Sequence, residues 1–255
     1  MAILDEERSK SLYNSSTYAE NTDDWEDGVS EFRSEAFLQA LLDGSEHIGK
    51  IVSILDVGCG SGGVLARLAL EKSLDNVSLR GIDISNVAID IARDLSIKKG
   101  VQNRVSYEVK SLLDIPTSEK ASIISIIHVL EHCPDMSEML RECAARAKFV
   151  YINVPLEFNL FYALRRGVPK NQYKKYGHIH FFDEDFFLSW LRANSYEVVA
   201  NVYSRDYMIK KSGLGYKAFQ LLRRLSHAVL GPKITIRYLA GISGGYLVRP
   251  INNIL

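Results

Sequence analysis

The stretch ILDVGCGSGG, residues 54 to 63, constrains the fold of this 255-residue chain more than any other feature. An apolar run typical of a buried strand ends in three alternating glycines, Gly58, Gly60 and Gly62, and a helical pattern follows at once. Glycine lets the backbone turn sharply and approach a ligand closely, and the free N–H groups at a helix start favour anionic groups. The stretch therefore predicts a strand–turn–helix unit with a ligand at the turn.

Apolar runs of strand length alternate with helical patterns along the middle of the chain. The strand-like runs cover residues 50–58, 77–85, 104–111, 121–129, 148–155 and 196–204, and helical patterns cover residues 62–73 and 86–100. Asp135 and Asp183 each precede a further helical pattern and are predicted to cap it. This order predicts βαβ units around a parallel sheet, an α/β fold.

The ends of the chain differ in character from its middle. Residues 1–48 read as an N-terminal helical cap ahead of the first strand, and residues 49–255 are expected to form the α/β domain. Inside that domain, an aromatic and basic loop at about 156–182 is the expected substrate loop. A basic helical insertion at about 205–243 precedes the last strand.

Composition excludes several classes of protein. Cys59, Cys133 and Cys143 are odd in number and lack C-x-x-C spacing, which argues against a disulfide framework and a cysteine zinc site. We expect reduced, buried thiols. No apolar run approaches the roughly 18 to 20 residues of a membrane span, and the acidic start lacks a secretory signal pattern. The expected location is the cytoplasm, without a transmembrane segment.

The neutral net charge hides an asymmetry along the chain. Residues 1–48 hold twelve acidic residues against three Lys/Arg, and residues 205–255 hold nine Lys/Arg against one acidic residue. The two ends either neutralise one another across a shared surface or leave a basic tail facing phosphate. Such phosphate could belong to nucleic acid, a nucleotide sugar or a membrane surface.

A second motif strengthens the ligand-binding interpretation of the glycine turn. GIDIS, residues 81 to 85, ends the second predicted strand and places Asp83 at its carboxyl end. A carboxylate at this position can accept two hydrogen bonds from ribose hydroxyls. The turn and Asp83 together predict a nucleoside-containing ligand.

Four motifs carry a resemblance to a known family. ILDVGCGSGG, GIDIS, SLLDIP and HVLEHCPD occur in an order and spacing that resemble those of class I S-adenosylmethionine-dependent methyltransferases, over about residues 50–200. The branch resembled acts in glycan, natural-product and quinone-pathway O-methylation. The resemblance implies a Rossmann-like class I methyltransferase sheet, mostly parallel with an antiparallel last strand, and S-adenosyl-L-methionine as cofactor.

The resemblance also implies cofactor contacts residue by residue. The methionine part is expected at Asp56 and the glycine turn, the ribose at Asp83, and the adenine beside Ile84. Ser111 stands where the family often has an acid, which leaves Ser111 and the Leu112 backbone as adenine partners. The full set is Tyr18, Asp56, Gly58, Cys59, Gly60, Gly62, Asp83, Ile84, Ser111, Leu112 and His128. For Tyr18, a place in the core is the alternative.

The reacting end is predicted at HVLEH, just beyond the fourth strand. His128, Glu131 and His132 stand at positions i, i+3 and i+4, which share one face of a helical turn. The later motif GHIHFF offers His178 or His180 to meet them. Because imidazole titrates near neutral pH, the expected catalytic residues are His132 or His178 as general base, together with Glu131.

Two other interpretations of these residues stay open. In the first, histidine and glutamate only brace loops through hydrogen bonds. In the second, His128, Glu131, His132 and His178 bind a divalent metal, which resembles the E-x-x-E-H pattern of ubiquinone-pathway O-methyltransferases and of small-RNA 2′-O-methyltransferases. His128 replaces the first glutamate of that pattern, so a metal is the less favoured interpretation.

The acceptor is expected to be a small polar molecule such as a sugar or nucleotide-linked sugar. The loop before GHIHFF is rich in tyrosine and basic residues, a pattern that suits a phosphate-bearing acceptor: Arg165, Arg166, Lys170, Lys174 and Lys175. The alternatives are metal-assisted 2′-O-methylation of RNA ends, N-methylation of a small molecule, and a non-catalytic cofactor-binding protein. Nucleic acid is disfavoured because no RNA-binding module is recognisable.

An amphipathic stretch at about 216–230 is the remaining feature of note. Its apolar positions, Phe219, Leu222, Leu225 and Val229, favour an ordinary core face or a homodimer contact. Because the stretch is also basic, peripheral contact with a membrane surface is the alternative.

Overall fold

The computed structural model describes residues 23–164, 167–206, 214–239 and 242–251 of the chain. Three residues singled out from the sequence, Tyr18, Arg165 and Arg166, lie outside these ranges. The side chain of Lys175 also lies outside the described part.

Seven strands and nine α-helices make up the described part of the chain. The strands are β1 Ser53–Val57, β2 Ser78–Asp83, β3 Val105–Val109, β4 Ala121–Ile127, β5 Ala147–Pro155, β6 Tyr196–Ser204 and β7 Ser243–Pro250. The helices are α1 Asp23–Asp43, α2 Ser45–Ile48, α3 Gly63–Leu68, α4 Asn86–Lys98, α5 Met136–Ala144, α6 Leu160–Ala163, α7 Val168–Tyr176, α8 Glu184–Ala193 and α9 Leu214–Tyr238. Short 3₁₀ turns lie at Lys72–Leu74, Leu112–Asp114 and Leu130–His132.

The strands form one sheet in the order β3-β2-β1-β4-β5-β7-β6. The first five strands are parallel, and β7 runs antiparallel to both β5 and β6. This confirms the predicted Rossmann-like sheet with an antiparallel last strand. Because β1 lies between β2 and β4, the carboxyl ends of these three strands meet at one edge of the sheet. The glycine turn, Asp83 and HVLEH all follow those ends.

Helices pack apolar side chains against both faces of the sheet. On one face, α1 packs Phe37 against Tyr151 of β5 with ring centroids 4.4 Å apart, beside α3 and α4. On the other, α8 packs Phe187 against Tyr246 of β7 at 5.0 Å, beside α5. The division into a cap over 1–48 and a domain over 49–255 stays a prediction.

Local sequence signals placed most helix starts correctly. Asp135 caps α5 by accepting from the Glu138 N–H at 2.9 Å, and Asp183 caps α8 by accepting from the Phe186 N–H at 2.7 Å. Both predicted caps are confirmed. The helix expected over 62–73 is shorter, since α3 ends at Leu68 and a 3₁₀ turn follows.

The basic insertion differs from the favoured expectation. α9 is helical, with a break at Gly231, where φ is +79° and Pro232 follows. Leu222, Leu225 and Val229 are 51%, 55% and 77% exposed. The core-face interpretation is therefore wrong for these three positions, because the core cluster that includes α5 and α8 takes in only Ile236 of α9. Phe219 is half-buried, and the homodimer contact stays a prediction.

Candidate active site

The glycine turn between β1 and α3 depends on left-handed backbone at Gly58, Gly60 and Gly62, where φ is +71°, +53° and +75°. A Cβ on Gly58 would lie 2.7 Å from Val129 Cγ2, and one on Gly62 would lie 2.6 Å from the Tyr107 hydroxyl oxygen. That hydroxyl donates to the Gly62 carbonyl at 3.0 Å. Both the φ values and the close packing therefore require glycine.

Asp83 fastens the glycine turn to the end of β2. Its Oδ2 accepts from the Gly60 N–H at 3.0 Å, and its Oδ1 accepts from the Ser85 N–H at 2.9 Å. Burial raises the pKa of this carboxyl, while the backbone donors oppose the rise. Each carboxylate oxygen can accept a further hydrogen bond, so Asp83 can hold the turn and a ribose together.

Asp56 is a buried acid at the end of β1. Its Oδ1 accepts from the Ser125 hydroxyl at 2.6 Å, and only 3% of the residue is exposed. Burial raises its pKa to about 7, and the negative charge of Asp83 adds to the rise. The ammonium group of a ligand, placed between the carboxylates of Asp56 and Asp83, would stabilise their ionised forms and lower their pKa values.

The expected adenine partners lie on the neighbouring strand end. The Ser111 hydroxyl accepts from the Leu113 N–H at 3.4 Å, and Asp114 accepts from the Ser111 N–H at 2.9 Å. This capping box was not predicted, and it occupies part of the hydrogen-bonding capacity of Ser111. Since Lys110 N–H donates to the Asp83 carbonyl at 2.8 Å, the Ser111 turn lies next to Asp83 and Ile84.

The chain turns abruptly after β4 at His128, a non-glycine residue with φ +56°. Its N–H donates to the Asn153 carbonyl on β5 at 2.8 Å, and Glu131 and His132 follow on a 3₁₀ turn. The ligand atoms of Glu131, His132 and His178 all lie within 4.8 Å of one another. The structure therefore brings together three of the residues expected at the reacting end.

Glu131 is fully buried, yet neither carboxylate oxygen has a hydrogen-bond partner of good geometry. His128 Nδ1 lies 3.1 Å from its Oε1. Burial raises the pKa of Glu131, but the nearby imidazoles of His128, His132 and His178 outweigh burial and hold it at about 2. Burial lowers the pKa of His132 to about 4. At neutral pH the site thus presents a carboxylate next to a neutral imidazole.

The sequence did not predict the hydrogen-bond partner of His178. Its Nδ1 lies 2.9 Å from Oε2 of Glu157, and the Gln172 side-chain amide donates to the other Glu157 oxygen at 2.9 Å. Burial lowers the pKa of His178, but this hydrogen bond and the nearby carboxylates raise it overall. Glu157 lies two residues beyond the end of β5, and an acid shortly after a predicted strand was the available sequence signal.

His128 and His180 lie at the margins of this cluster. His128 Nε2 is 3.1 Å from the Ser243 hydroxyl, which donates to Asp206 at 2.7 Å. His180 Nε2 is 2.9 Å from the Cys133 carbonyl. Each of these two rings thus has a hydrogen-bond partner within the protein. His132 and His178 lie edge to face, with ring centroids 5.0 Å apart.

Comparison with known proteins decides the family. A family model described as a methyltransferase domain matches residues 20–201, more than two thirds of the chain. The chain belongs to this methyltransferase family. Its fold and the glycine turn agree with that membership, and S-adenosylmethionine is the cofactor of this methyltransferase.

Several curated methyltransferases are similar over part of their length. The mitochondrial ubiquinone biosynthesis O-methyltransferase of Saccharomyces cerevisiae is 38% identical over 37% of this chain, and the match covers 30% of that protein. Ajmaline N-methyltransferase of Rauvolfia serpentina is 36% identical over 35% of this chain and 30% of its own length. The Bordetella bronchiseptica ubiquinone enzyme is 31% identical over 49% of this chain. The matches thus span about a third to a half of these relatives.

Solved structures agree on the fold of the methyltransferase. Magnesium protoporphyrin IX methyltransferase from Synechocystis, with bound SAH, superposes with a TM-score of 0.60 at 14% identity, covering 95% of this chain and 99% of that one. A methyltransferase from Geobacter sulfurreducens superposes at 0.54 and 17% identity, covering 83% and 90%. Since the identities are low, these likenesses show the fold alone.

Asparagine in place of Asp56 is expected to stabilise the cofactor-free methyltransferase at pH 8 by about 1 to 4 kcal/mol. The pKa of the Asp56 carboxyl is 3.8 in the unfolded chain, and burial raises it to about 7 in the folded protein. The folded state therefore holds a proton that the unfolded state releases, and the free energy of unfolding falls as the pH rises between these values. Urea denaturation at pH 5 and pH 8 measures the effect. Equal pH slopes for variant and wild type would contradict it.

Proposed function

We propose that this methyltransferase transfers the methyl group to a hydroxyl of a small molecule, at the Glu131–His132–His178 cluster. The observation that carries the proposal is the Glu131 carboxylate, which is buried, ionised and without a hydrogen-bond partner of good geometry. His128 lies next to Oε1 of this carboxylate, and a buried carboxylate oxygen without a hydrogen-bond partner is costly. An acceptor hydroxyl, or an ion that binds it, would supply the missing partner.

His178 is our candidate general base. Glu157 accepts from the Nδ1–H of His178, which leaves Nε2 with a lone pair. A base held in one tautomer at a fixed distance removes the proton from a hydroxyl as the methyl group is transferred. His132 lies against His178 and stays neutral because burial lowers its pKa. Glu157 is a positioning residue in this scheme.

A divalent metal is the second candidate for activating the hydroxyl. Glu131, His132 and His178 fit this group, because they offer an ionised carboxylate and two imidazoles within 4.8 Å of one another. Glu157 would orient His178 from behind, as carboxylates commonly do for metal-bound histidines. A bound metal would lower the pKa of the acceptor hydroxyl.

A cavity next to the backbone of the cluster is our candidate for the acceptor space. Ile179, whose N–H donates to the Glu131 carbonyl at 2.8 Å, also lines this cavity of about 570 Å³. Its other walls are mostly aromatic or apolar: Met136, Phe158, Tyr162, Phe181, Phe182 and Phe186. Such walls suit the flat face of a ring. Exposed Lys170 and Lys174 on α7 support a phosphate-bearing acceptor such as a nucleotide-linked sugar.

Nitrogen as the accepting atom is the second candidate function, because an N-methyltransferase is among the similar proteins. A lone pair on a neutral amine needs no base, so that reaction would leave the buried carboxylate unexplained. The expectation that nucleic acid is not the acceptor and the cytoplasmic location stay predictions from the sequence, and RNA ends and a homodimer stay its alternatives.

A screen with labelled S-adenosylmethionine tests the proposal. We expect label in an O-methyl group from a panel of nucleotide sugars, phenols and short RNAs, with a small molecule as the best acceptor. A parallel series with EDTA separates the two activation schemes. Loss of activity with return on Zn²⁺ or Mg²⁺ would favour the metal, and indifference to EDTA would favour His178 as base. Label only in amines would overturn O-methylation.

A further inference from the structure

The first part of α9, up to the break at Gly231, has little contact with the protein interior. Among residues 217–230 the structure records one buried residue, Arg223, whose guanidinium lies 4.2 Å from the Phe219 ring centroid. The segment after Pro232 does enter the core, through Thr235 and Ile236. α9 is thus anchored at one end and exposed along the other.

Four of the exposed apolar side chains on this part form a stripe. Because an α-helix turns about 100° per residue, Leu221, Leu222, Leu225 and Val229 fall within an arc of about 100°. All four are exposed. Phe158, Leu160 and Leu164, on or beside α6, are exposed as well, and α6 contacts α9. We call these seven side chains the apolar face.

Basic residues border this face. α9 contains five Lys/Arg and no acidic residue. Lys217 and Arg224 lie along one edge of the helical arc, and both are exposed, as is Lys233 beyond the break. Arg237 forms an ion pair with Asp185 at 2.6 Å, so it contributes less. An apolar stripe with a basic edge is typical of helices that lie in the interface of an anionic bilayer.

We propose that the apolar face docks on an anionic lipid bilayer, with α9 parallel to the membrane surface. The basic residues that border the apolar face favour an anionic lipid surface over a second copy of the chain as its partner. A twofold dimer would place the same patch on both sides and bring basic residues against basic residues. No helix in the described ranges is long and apolar enough to cross a membrane.

The position of the face gives docking a consequence for the active site. Phe158 belongs both to the apolar face and to the wall of the cavity beside the cluster, and Ala163 of α6 lines that cavity too. Docking would therefore bring the cavity against the bilayer, where an acceptor with an apolar part could enter it. This consequence rests on the proposed function, whereas docking itself does not.

Cosedimentation with vesicles tests the docking. The full chain is expected to bind vesicles of phosphatidylcholine and phosphatidylglycerol in equal parts at least about ten times more tightly than pure phosphatidylcholine, with binding weakened by salt. Leu225→Glu with Val229→Glu should lower that binding at least about ten-fold. Lys217→Ala or Arg224→Ala should each lower it about five-fold.

A matched double variant controls for the added charge. Leu70→Glu with Ile97→Glu alters two exposed apolar residues away from α9, and it should bind vesicles more than Leu225→Glu with Val229→Glu does. Circular dichroism and S-adenosylhomocysteine affinity check that every variant folds. If the wild-type chain does not bind the anionic vesicles, the proposal is overturned. A wild-type dimer in sedimentation velocity that Leu225→Glu with Val229→Glu dissociates would overturn it as well. Neither result touches the methyl-transfer proposal.

Discussion

Glutamine in place of Glu131 is expected to lower kcat for methyl transfer at least about 100-fold, while S-adenosylmethionine affinity stays within about three-fold of wild type. The carboxylate is buried against His128, His132 and His178, and it is ionised because these imidazoles lower its pKa. Glutamine keeps the size but removes the charge on which a base or a metal would depend. Steady-state kinetics and calorimetry measure the two quantities.

Measurements of folding stability distinguish a catalytic role of Glu131 from a structural one. The folded protein holds the pKa of Glu131 below its unfolded value, so Glu131→Gln should lower the free energy of unfolding at neutral pH. Circular dichroism identifies conditions under which the variant stays folded, so that a lower kcat there reports on catalysis and not on unfolding. The backbone contact to Ile179 is retained in the variant. Exposed Glu71→Gln is the matched control and should leave activity unchanged. A Glu131→Gln enzyme that keeps a third of its activity would contradict the proposal.

Much of the fold could be predicted because its signals are local. The strand β6 was expected over residues 196–204 and lies there, since alternation and its flanking residues suffice to define it. The caps Asp135 and Asp183 depend on a donor three residues away. The glycine turn requires left-handed backbone, which glycine adopts readily, and the resemblance to one family supplied the antiparallel last strand that periodicity alone leaves open.

The contacts that the sequence did not reveal join distant segments. Glu157 meets His178 across 21 residues, and Ser243 meets His128 across 115. No local pattern specifies such pairs, because only the order of strands in the sheet brings the segments together. The exposure of α9 was misjudged for a similar reason. An amphipathic pattern shows that a face is apolar, but not whether another element is left to cover it.

The two ends of the site are positioned by different parts of the fold. At the cofactor end, the left-handed glycines and Asp83 lie at the ends of β1 and β2, so the motifs located them along the chain, whereas the Asp83 contacts to Gly60 and Ser85 were not predicted. At the reacting end, Glu131 and His178 come from separate loops. Loops change more readily than strand ends, and acceptor choice is thus easier to alter than cofactor choice.

Alanine in place of Asp83 is expected to weaken S-adenosylmethionine binding at least about 100-fold, which calorimetry measures directly. Two charge-assisted hydrogen bonds to a ribose, each contributing about 1.5 to 3 kcal/mol, account for this magnitude. The variant also frees the Gly60 N–H, which the carboxylate now holds at 3.0 Å, so the turn itself loosens. Asp83→Asn keeps one carbonyl acceptor and should lose less affinity than alanine.

The Asp83 variants need a control for general damage to α4 and its surroundings. Asp94→Ala removes an exposed acid on that helix and should bind the cofactor like wild type. Because burial raises the pKa of Asp83, removing the acid relieves an electrostatic cost, and the folded fraction by circular dichroism should hold. Unchanged cofactor affinity in Asp83→Ala would show that the ribose is held elsewhere. The ribose assignment would then fall, while the methyltransferase fold and the Glu131 proposal would stand independently.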